Sequence, residues 1–297
     1  MRRGDFDRAW DVSDAVLRDR LASAHTQWHL PRHLQGVWNG TPLAGKRVLI
    51  RCYHGLGDTI QFIRFASPLR RIAREVIVWA QPALMELVAA TPGVDRVLSL
   101  HDGSPDVDYD VDIEIMELPH ALRARPDTIP MEIPYVFPPS GPRLPLGPEF
   151  NVGIVWEAGD WDPRRSVPAQ MIARLRNVSG VRLHSLQRGP ARSFAVEITD
   201  SDISTSHVAA AATRLQQLDL VVCVDTMIAH LAGAIGVPVW VLLHAHCDWR
   251  WMDKSESVWY PTMELFRQTV SGDWMSVIET IQSRLVQTSA LNAGIRN

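Results

Sequence analysis

The chain has 297 residues, of which 46% are hydrophobic and 21% are charged, and its formal net charge is −3. This composition is typical of a well-packed globular protein with one large domain or two ordinary ones, and it excludes wholesale disorder. No sustained run of lysine or arginine is present. Because binding to a nucleic-acid backbone needs a concentrated basic surface, we expect no nucleic-acid partner.

The cysteines and the apolar runs bear on the compartment. Cys52, Cys223 and Cys247 are odd in number and lack CxxC spacing, which favours free thiols in a reducing compartment. The first residues contain no apolar stretch of the kind that secretion signals have. The longest apolar runs, at 219–224 and 237–243, are too short to cross a bilayer. These features predict a cytoplasmic protein without a membrane span.

The first predicted element is a helix over residues 5–30, where apolar residues recur at helical spacing. Prolines and glycines then interrupt the chain before the first strand. Beyond them, strand-like and helical runs alternate, which favours a parallel sheet. The strands are predicted at 47–53, 75–80 and 94–100, and the helices at 58–73 and 82–90.

A proline-rich segment, residues 118–148, joins this half to a second half with the same alternation. A tryptophan-rich loop at 246–261 and a helix at 272–287 complete the chain. The other strands of the second half are predicted at 151–156, 181–186, 219–224 and 237–243, and its other helices at 168–177, 206–216 and 226–235.

This organisation predicts two Rossmann-like α/β domains, each with a parallel sheet. The predicted divisions are a helical leader at 1–35, an N-terminal domain at 36–140, a C-terminal domain at 150–271, and a final helix and tail at 272–297.

The first strand leads into Gly55-Leu56-Gly57-Asp58. A strand, a glycine turn and a helix start place backbone N–H groups at the sheet edge where α/β proteins hold phosphates. The pattern begins like a dinucleotide fingerprint, but Ile60 replaces the third glycine, which disfavours a nicotinamide-dependent oxidoreductase. Asp58 is either a helix cap or a carboxylate that takes a proton from a hydroxyl nucleophile.

A second strand-to-helix turn contains Asp225 and Thr226, which also have the alternative role of helix caps. His230 is either a packed core histidine or a ligand contact. Arg164 and Arg165 lie in the loop after the first strand of the second half. Such a pair is either solvated charge or a means of neutralising a leaving pyrophosphate.

Three further patterns keep two interpretations each. Residues 106–112 mimic the DxD metal motif of some sugar transferases, but a solvent-facing edge strand explains them better. His244, His246 and Cys247 could ligate zinc, yet no second cluster completes four ligands. The tryptophans of 246–261 fit either a platform for bases and sugars or a buried seam between domains.

Segments in both halves jointly resemble glycosyltransferase family 9, over a span from about residue 36 to 285. Those segments are 55–65, 164–168, 185–189 and 224–234. Two others, 248–252 and 259–268, resemble the heptosyltransferase-like domains that follow tetratricopeptide repeats in bacterial proteins. Residues 3–10 look like the helix that ends such repeats, although no repeat period exists in this chain.

The resemblance implies a GT-B architecture with two Rossmann-like domains facing a central cleft. It implies transfer of a sugar from a nucleotide-diphosphate donor with inversion, without a bound metal or other cofactor. The N-terminal domain would take a glycan, lipid-linked or protein acceptor, and the C-terminal domain would bind the nucleotide sugar. The alternative function is a non-catalytic nucleotide-sugar or glycan-binding module of the same fold.

The resemblance also implies roles for individual residues. Asp58 corresponds to the general base, with Gly55, Gly57 and Gln61 on the acceptor side. Asp225, Thr226 and His230 correspond to donor contacts, and Arg164 or Arg165 to the basic residue that meets the diphosphate. We expect Ser166, Gln187 and Arg188 to join them in the donor site. The leader helix would expose an apolar face around Trp10 and Trp28, and we expect the chain to self-associate through it.

Overall fold

The computed structural model describes residues 1–23 and 29–296, with side chains through Asn292. It divides into two compact units, Met1–Phe137 and Pro138–Asn297. Each unit contains one parallel sheet with helical connections, so the predicted α/β class with two parallel sheets is confirmed.

The first unit contains a four-stranded sheet in the order β3-β2-β1-β4. β1 and β2 are buried apart from their first residues, and each contains an apolar run, 48–50 and 76–80, as expected for parallel strands covered on both faces. Three of the four strands lie where the sequence predicted them. The strands are β1 (Arg47–Arg51), β2 (Glu75–Ala80), β3 (Arg96–Ser99) and β4 (Val111–Glu114).

The helices of the first unit are shorter than predicted. The helix predicted at 58–73 is divided by a 3-10 turn at Ile63–Phe65, because Pro68 has no N–H to donate to the Arg64 carbonyl. The helix predicted at 5–30 ends at Ala22, and Ser23 is extended. The described helices are α1 (Phe6–Ala22), α2 (Leu56–Phe62), α3 (Ala66–Arg70), α4 (Met85–Ala89) and α5 (Leu118–Ala121).

α1 packs against its own unit through Trp10, and this corrects the expected exposed apolar face. Trp10 is buried, its Nε1 donates to the Ala124 carbonyl at 2.7 Å, and its ring stacks on His120 at 5.7 Å. Asp14 binds both Arg123 and His120 at 2.8 Å, and these bonds lower the pKa of the Asp14 carboxyl. Trp28, the other residue of the predicted face, lies outside the described residues.

The acidic segment 106–112 enters an edge strand, β4, only at its last two residues. β4 pairs with β1 alone, and residues 106–110 form the loop before it. Arg47 binds Asp110 at 3.1 Å, and Arg51 binds Asp112 at 2.6 Å. These aspartates therefore have arginine partners within the sheet, as expected of an edge strand.

The second unit contains a six-stranded sheet in the order β10-β9-β8-β5-β6-β7. The four predicted strands are confirmed. The sequence analysis missed two strands. β7 consists of only two residues, both exposed, and in β10 the charged Glu264 and Arg267 interrupt the apolar pattern. The strands are β5 (Phe150–Val155), β6 (Val181–Ser185), β7 (Ser201–Asp202), β8 (Leu220–Val224), β9 (Val239–Leu243) and β10 (Met263–Arg267).

Each helix predicted in the second unit is present, but the one predicted at 168–177 is α-helical only at Ala169–Ile172 and continues as a 3-10 helix over Ala173–Asn177. The final helix runs to Arg296, beyond its predicted end at 287, and a short extra helix precedes β7. No helix within residues 1–23 and 29–296 has both the length and the hydropathy that crossing a membrane requires. The described helices are α6 (Ala169–Ile172), α7 (Ala195–Ile198), α8 (Val208–Leu215), α9 (Met227–Ala234) and α10 (Trp274–Arg296).

The tryptophan-rich loop contributes to the core of the second unit. Trp251, Trp259 and Tyr260 are at most 1% exposed. Trp251 stacks on His230 of α9 at 5.3 Å, and the Trp259 Nε1 donates to the Arg250 carbonyl at 2.8 Å. These three aromatic rings pack against the body of the unit, so they do not form the platform for bases and sugars that one interpretation predicted.

Candidate functional site

In the first unit, polar groups collect where β1 and β4 end. β2 and β3 lie on one side of β1, and β4 lies on the other. The strand order thus reverses at β1, and ligands of open α/β sheets bind beside the carboxyl ends of the strands at such a point. Residues 52–58 follow β1, and Glu114 is the last residue of β4.

Asp58 is the third residue of α2 rather than its cap, which corrects the cap interpretation. Gly55 is the cap residue, and its N–H donates to the Asp58 Oδ2 at 3.0 Å. A carboxylate at this position stabilises the positive end of a helix. Gly57 lies between the two, whereas Gln61 is fully buried one turn further on. The role of Asp58 as a base remains a prediction.

Glu114 and His54 are residues that the sequence analysis missed. The Glu114 side chain is 1% exposed and accepts bonds from the N–H groups of Tyr53 at 3.2 Å and Met116 at 2.6 Å. The His54 Nδ1 lies 2.9 Å from its Oε1. Glu114 ends β4, and because the sequence analysis did not predict that strand, nothing placed this carboxylate at the same sheet edge as the glycine turn.

In the second unit, a cavity of about 350 Å³ opens at the carboxyl ends of β5, β6 and β8. These are three neighbouring strands with β5 in the centre, and the strand order reverses at β5. The cavity therefore lies where α/β proteins bind ligands. Its lining comes from Val155, the last residue of β5, and from segments that follow the three strands: 157–160, 186–190 and 226–228.

The start of α9 forms one part of the cavity wall. Thr226 is the cap residue, and its side chain makes no capping bond to the helix. The Thr226 Oγ1 is buried and has no hydrogen-bond partner among the described residues. Thr226, Met227 and Ile228 all line the cavity. Because a helix start presents N–H groups and partial positive charge, this wall suits an anion.

Gln187 lines the cavity but uses its side chain to hold the neighbouring loop. Its Oε1 accepts from the N–H groups of Trp156 at 3.1 Å and Glu157 at 3.0 Å. Its Nε2 donates to the carbonyls of Glu157 at 3.2 Å and Arg188 at 2.8 Å. An amide side chain has two donor hydrogens and an acceptor oxygen with two lone pairs, so these bonds occupy it fully. Its role as a donor contact stays a prediction.

The two arginines have different partners. Arg164 donates to Asp162 at 2.9 and 2.8 Å, and this pairing lowers the pKa of the Asp162 carboxyl to about 2. Arg165 instead donates to the main-chain carbonyl of Asp225 at 3.0 Å, just before the start of α9. Neither arginine lines the cavity.

The other predicted donor residues are distributed around the cavity. Arg188 lines it, and the Ser166 Oγ accepts from the Ala158 N–H at 3.1 Å. Burial raises the pKa of the Asp225 carboxyl, against the opposing effects of Trp251 and two arginines. His230 is buried, with its Nδ1 3.0 Å from the Tyr260 hydroxyl. That placement matches the core interpretation of His230.

The residues considered for zinc do not form a cluster. Across the part of the chain that the structure describes, no three His, Cys, Asp or Glu side chains are grouped to hold a metal. The Cys247 Sγ accepts a hydrogen bond from Arg267, and the His244 Nε2 lies 3.6 Å from Asp162.

Comparison with known proteins finds relatives of this fold. No family model matches the chain. Protein FlbA of Caulobacter vibrioides is 22% identical over an alignment 322 residues long, which covers 95% of this chain. The chain spans about half the length of that curated relative, 52% of it.

Solved structures show which known proteins share this fold. A family 9 glycosyl transferase from Veillonella parvula matches with a TM-score of 0.59 and 13% identity, covering 85% of this chain and 99% of its own. The chain has the fold of glycosyltransferase family 9. Escherichia coli heptosyltransferase WaaC matches with a TM-score of 0.56 and 13% identity, over 81% and 99% of the two chains. Dodecameric TibC of Escherichia coli matches with a TM-score of 0.55 and 14% identity, over 84% and 76%. The resemblance and the GT-B class are thereby confirmed at the level of fold.

Proposed function

We propose that this chain is a cytoplasmic glycosyltransferase that moves a sugar from a nucleotide-diphosphate donor to an acceptor hydroxyl, with inversion and without a metal. The cavity in the second unit carries the proposal, because an anion-binding helix start opens into it at the point where the strand order reverses. The WaaC structure, which has the same fold, was determined with ADP.

The donor would place its diphosphate at the start of α9. The Thr226 hydroxyl, which is buried without a partner, would donate to a phosphate oxygen. As the bond between sugar and diphosphate breaks, negative charge grows on the leaving group. Backbone N–H groups at the helix start and the guanidinium of Arg165 would stabilise that charge in place of a metal.

The acceptor hydroxyl would lose its proton to Asp58. Its oxygen would then attack the anomeric carbon from the side opposite the diphosphate, so the configuration inverts. The bond from Gly55 holds the Asp58 carboxylate at the mouth of the turn, where a base must be positioned within hydrogen-bond reach of the proton. A glycan, a lipid-linked sugar or a protein side chain would supply the hydroxyl.

The first test is binding followed by turnover. A thermal-shift screen with ADP-, UDP-, GDP- and dTDP-linked sugars would identify the donor, and release of nucleoside diphosphate would measure its turnover. Asp58→Asn keeps an oxygen for the Gly55 N–H but removes the base. We expect its turnover to fall about 100-fold or more, with the donor dissociation constant unchanged. Asp108→Asn, which neutralises an exposed carboxylate elsewhere in the first unit, is the control.

Unchanged turnover in Asp58→Asn would contradict the role of Asp58. The alternative function, a non-catalytic nucleotide-sugar or glycan-binding module, is favoured by one observation. Arg164 is neutralised by Asp162, which leaves less positive charge for a leaving diphosphate. Donor binding by the native chain without any turnover would support the module.

A further inference from the structure

Two carboxylates line the cavity of the second unit, into which the start of α9 opens. Glu157 and Asp160 are exposed there, and no described residue forms an ion pair or a hydrogen bond with the Glu157 carboxylate. A helix start attracts a diphosphate, whereas a carboxylate repels it. Any contact that these carboxylates make with a bound donor would therefore fall on a part of the ligand other than its phosphates.

The backbone of Glu157 is fixed more firmly than that of Asp160. The Gln187 side chain accepts from the Glu157 N–H and donates to the Glu157 carbonyl, and Gln187 is only 4% exposed. The preceding residue, Trp156, is 1% exposed. Asp160 comes after Gly159 and receives no such bond from Gln187. Glu157 thus lines the cavity on a backbone that Gln187 holds in place, and a specific contact requires such a rigid support.

We propose that Glu157 is a hydroxyl-binding residue of the donor site, where its carboxylate accepts two hydrogen bonds from a vicinal diol of the donor. Gln187 is the positioning residue that holds it. This inference rests on the proposed function, since it requires a nucleotide sugar in the cavity. The diol belongs either to the ribose or to the transferred sugar, and both present the same chemistry. Carboxylate oxygens accept such bonds strongly because they are charged.

Glu157→Gln distinguishes this role from simple proximity, because the two cases change the affinity for the donor in opposite directions. If Glu157 only lies near the diphosphate, removal of its charge relieves repulsion and tightens binding. If it binds the diol, the loss of charge-assisted hydrogen bonds weakens binding, by about tenfold. Inorganic pyrophosphate has the anion but no diol. Its affinity should therefore stay the same or increase in this variant.

The experiment is isothermal titration of the native chain and of Glu157→Gln. The ligands are ADP, UDP and GDP, the 2′-deoxy form of whichever binds best, its glucose-linked form, and inorganic pyrophosphate. Weaker binding of the nucleoside diphosphate, but not of its 2′-deoxy form, assigns the contact to the ribose. Weaker binding of the glucose-linked form alone assigns it to the sugar. Equal or tighter binding of every ligand by the variant would overturn the inference.

Asp160→Asn is the matched control, because it removes the same charge from the same cavity wall. Its affinities should stay within about twofold of the native values or increase slightly. A loss equal to that of Glu157→Gln would contradict a specific contact. Gln187→Leu should weaken the same ligands while keeping the carboxylate. If the native chain binds none of the ligands, the proposed function itself fails, and this result differs from native binding that the variant leaves unchanged.

Discussion

His184 lies inside the second sheet with both ring nitrogens engaged. Its Nε2 is 2.8 Å from the Asn151 Oδ1, and its Nδ1 is 2.7 Å from the Ser201 Oγ. Asn151 uses its Nδ2 to donate to two carbonyls, so its Oδ1 is an acceptor and the His184 Nε2 must donate. The Nδ1 of the neutral ring then accepts from Ser201. This network needs the uncharged imidazole.

Burial lowers the pKa of His184 from its usual 6.5, and nearby Arg182 adds to the effect. Because the unfolded chain then binds a proton more readily than the folded one, stability should fall as the pH drops below 6.5. Burial lowers the pKa of His244 as well, so both histidines contribute to the loss of stability in the same pH range. We expect His184→Gln to flatten the fall in the free energy of unfolding between about pH 6.5 and 5. Urea titrations would measure it. His207→Gln, at an exposed histidine, should keep the native slope.

Arg164 and Arg165 should differ in their contribution to anion binding. Arg164 is already bound by Asp162, whereas Arg165 is anchored to a carbonyl beside the start of α9. We expect Arg165→Ala to weaken inorganic pyrophosphate binding by about tenfold, because a guanidinium suits phosphate oxygens. Arg164→Ala should change it little. Equal losses in isothermal titration of the two variants would contradict this distinction.

At the scale of secondary structure, α9 depends on a glycine for its packing. A Cβ atom built on Gly233 would lie 2.5 Å from the Tyr260 ring. Gly233→Ala should therefore lower the free energy of unfolding by about 1–3 kcal/mol, although alanine is the better helix former. Gly159→Ala is the control, since a Cβ there meets no atom within 4 Å. Chemical denaturation of both variants would test this, and equal stabilities would contradict it.

Long apolar elements were predictable, whereas short and charged ones were not. β8 and β9 are uninterrupted buried runs, and their sequences alone define them. β10 alternates buried and partly exposed residues and exists because it pairs with β9. Its pairing partner is not encoded in its own five residues. The same reason explains α7, a helix of four residues whose sequence has no periodicity to detect.

At the scale of the whole molecule, α1 contributes to the stability of the first unit. Trp10→Ala removes a buried indole with a carbonyl bond and a ring contact, which costs about 3–5 kcal/mol. We expect faster hydrogen exchange at 118–125 and in β1, with β5 of the second unit unchanged. Val16→Ala, at an exposed position on the same helix, should leave exchange as it is. If hydrogen exchange in β5 became faster by as much as in β1, the destabilisation would not be confined to the first unit.

The sequence located the candidate site better than it explained it. The turns at Gly55 and Thr226 were predictable, because a strand followed by a helix start has a local signature. The bonds of Gln187 were not, since they join loops 30 residues apart. The burial of Glu114 depends likewise on β4 pairing with β1. Contacts between neighbouring strands arise only once the sheet order is known.

The aspartates around β4 have a consequence for the sheet as a surface. The outer side of an edge strand offers unpaired backbone groups to any other extended chain. Here Asp108 and Asp110 precede the strand and Asp112 lies within it, so an incoming strand would meet a row of negative charge. The arginines that balance this charge belong to β1, behind the edge. The first sheet thus resists growing by one strand from a second molecule.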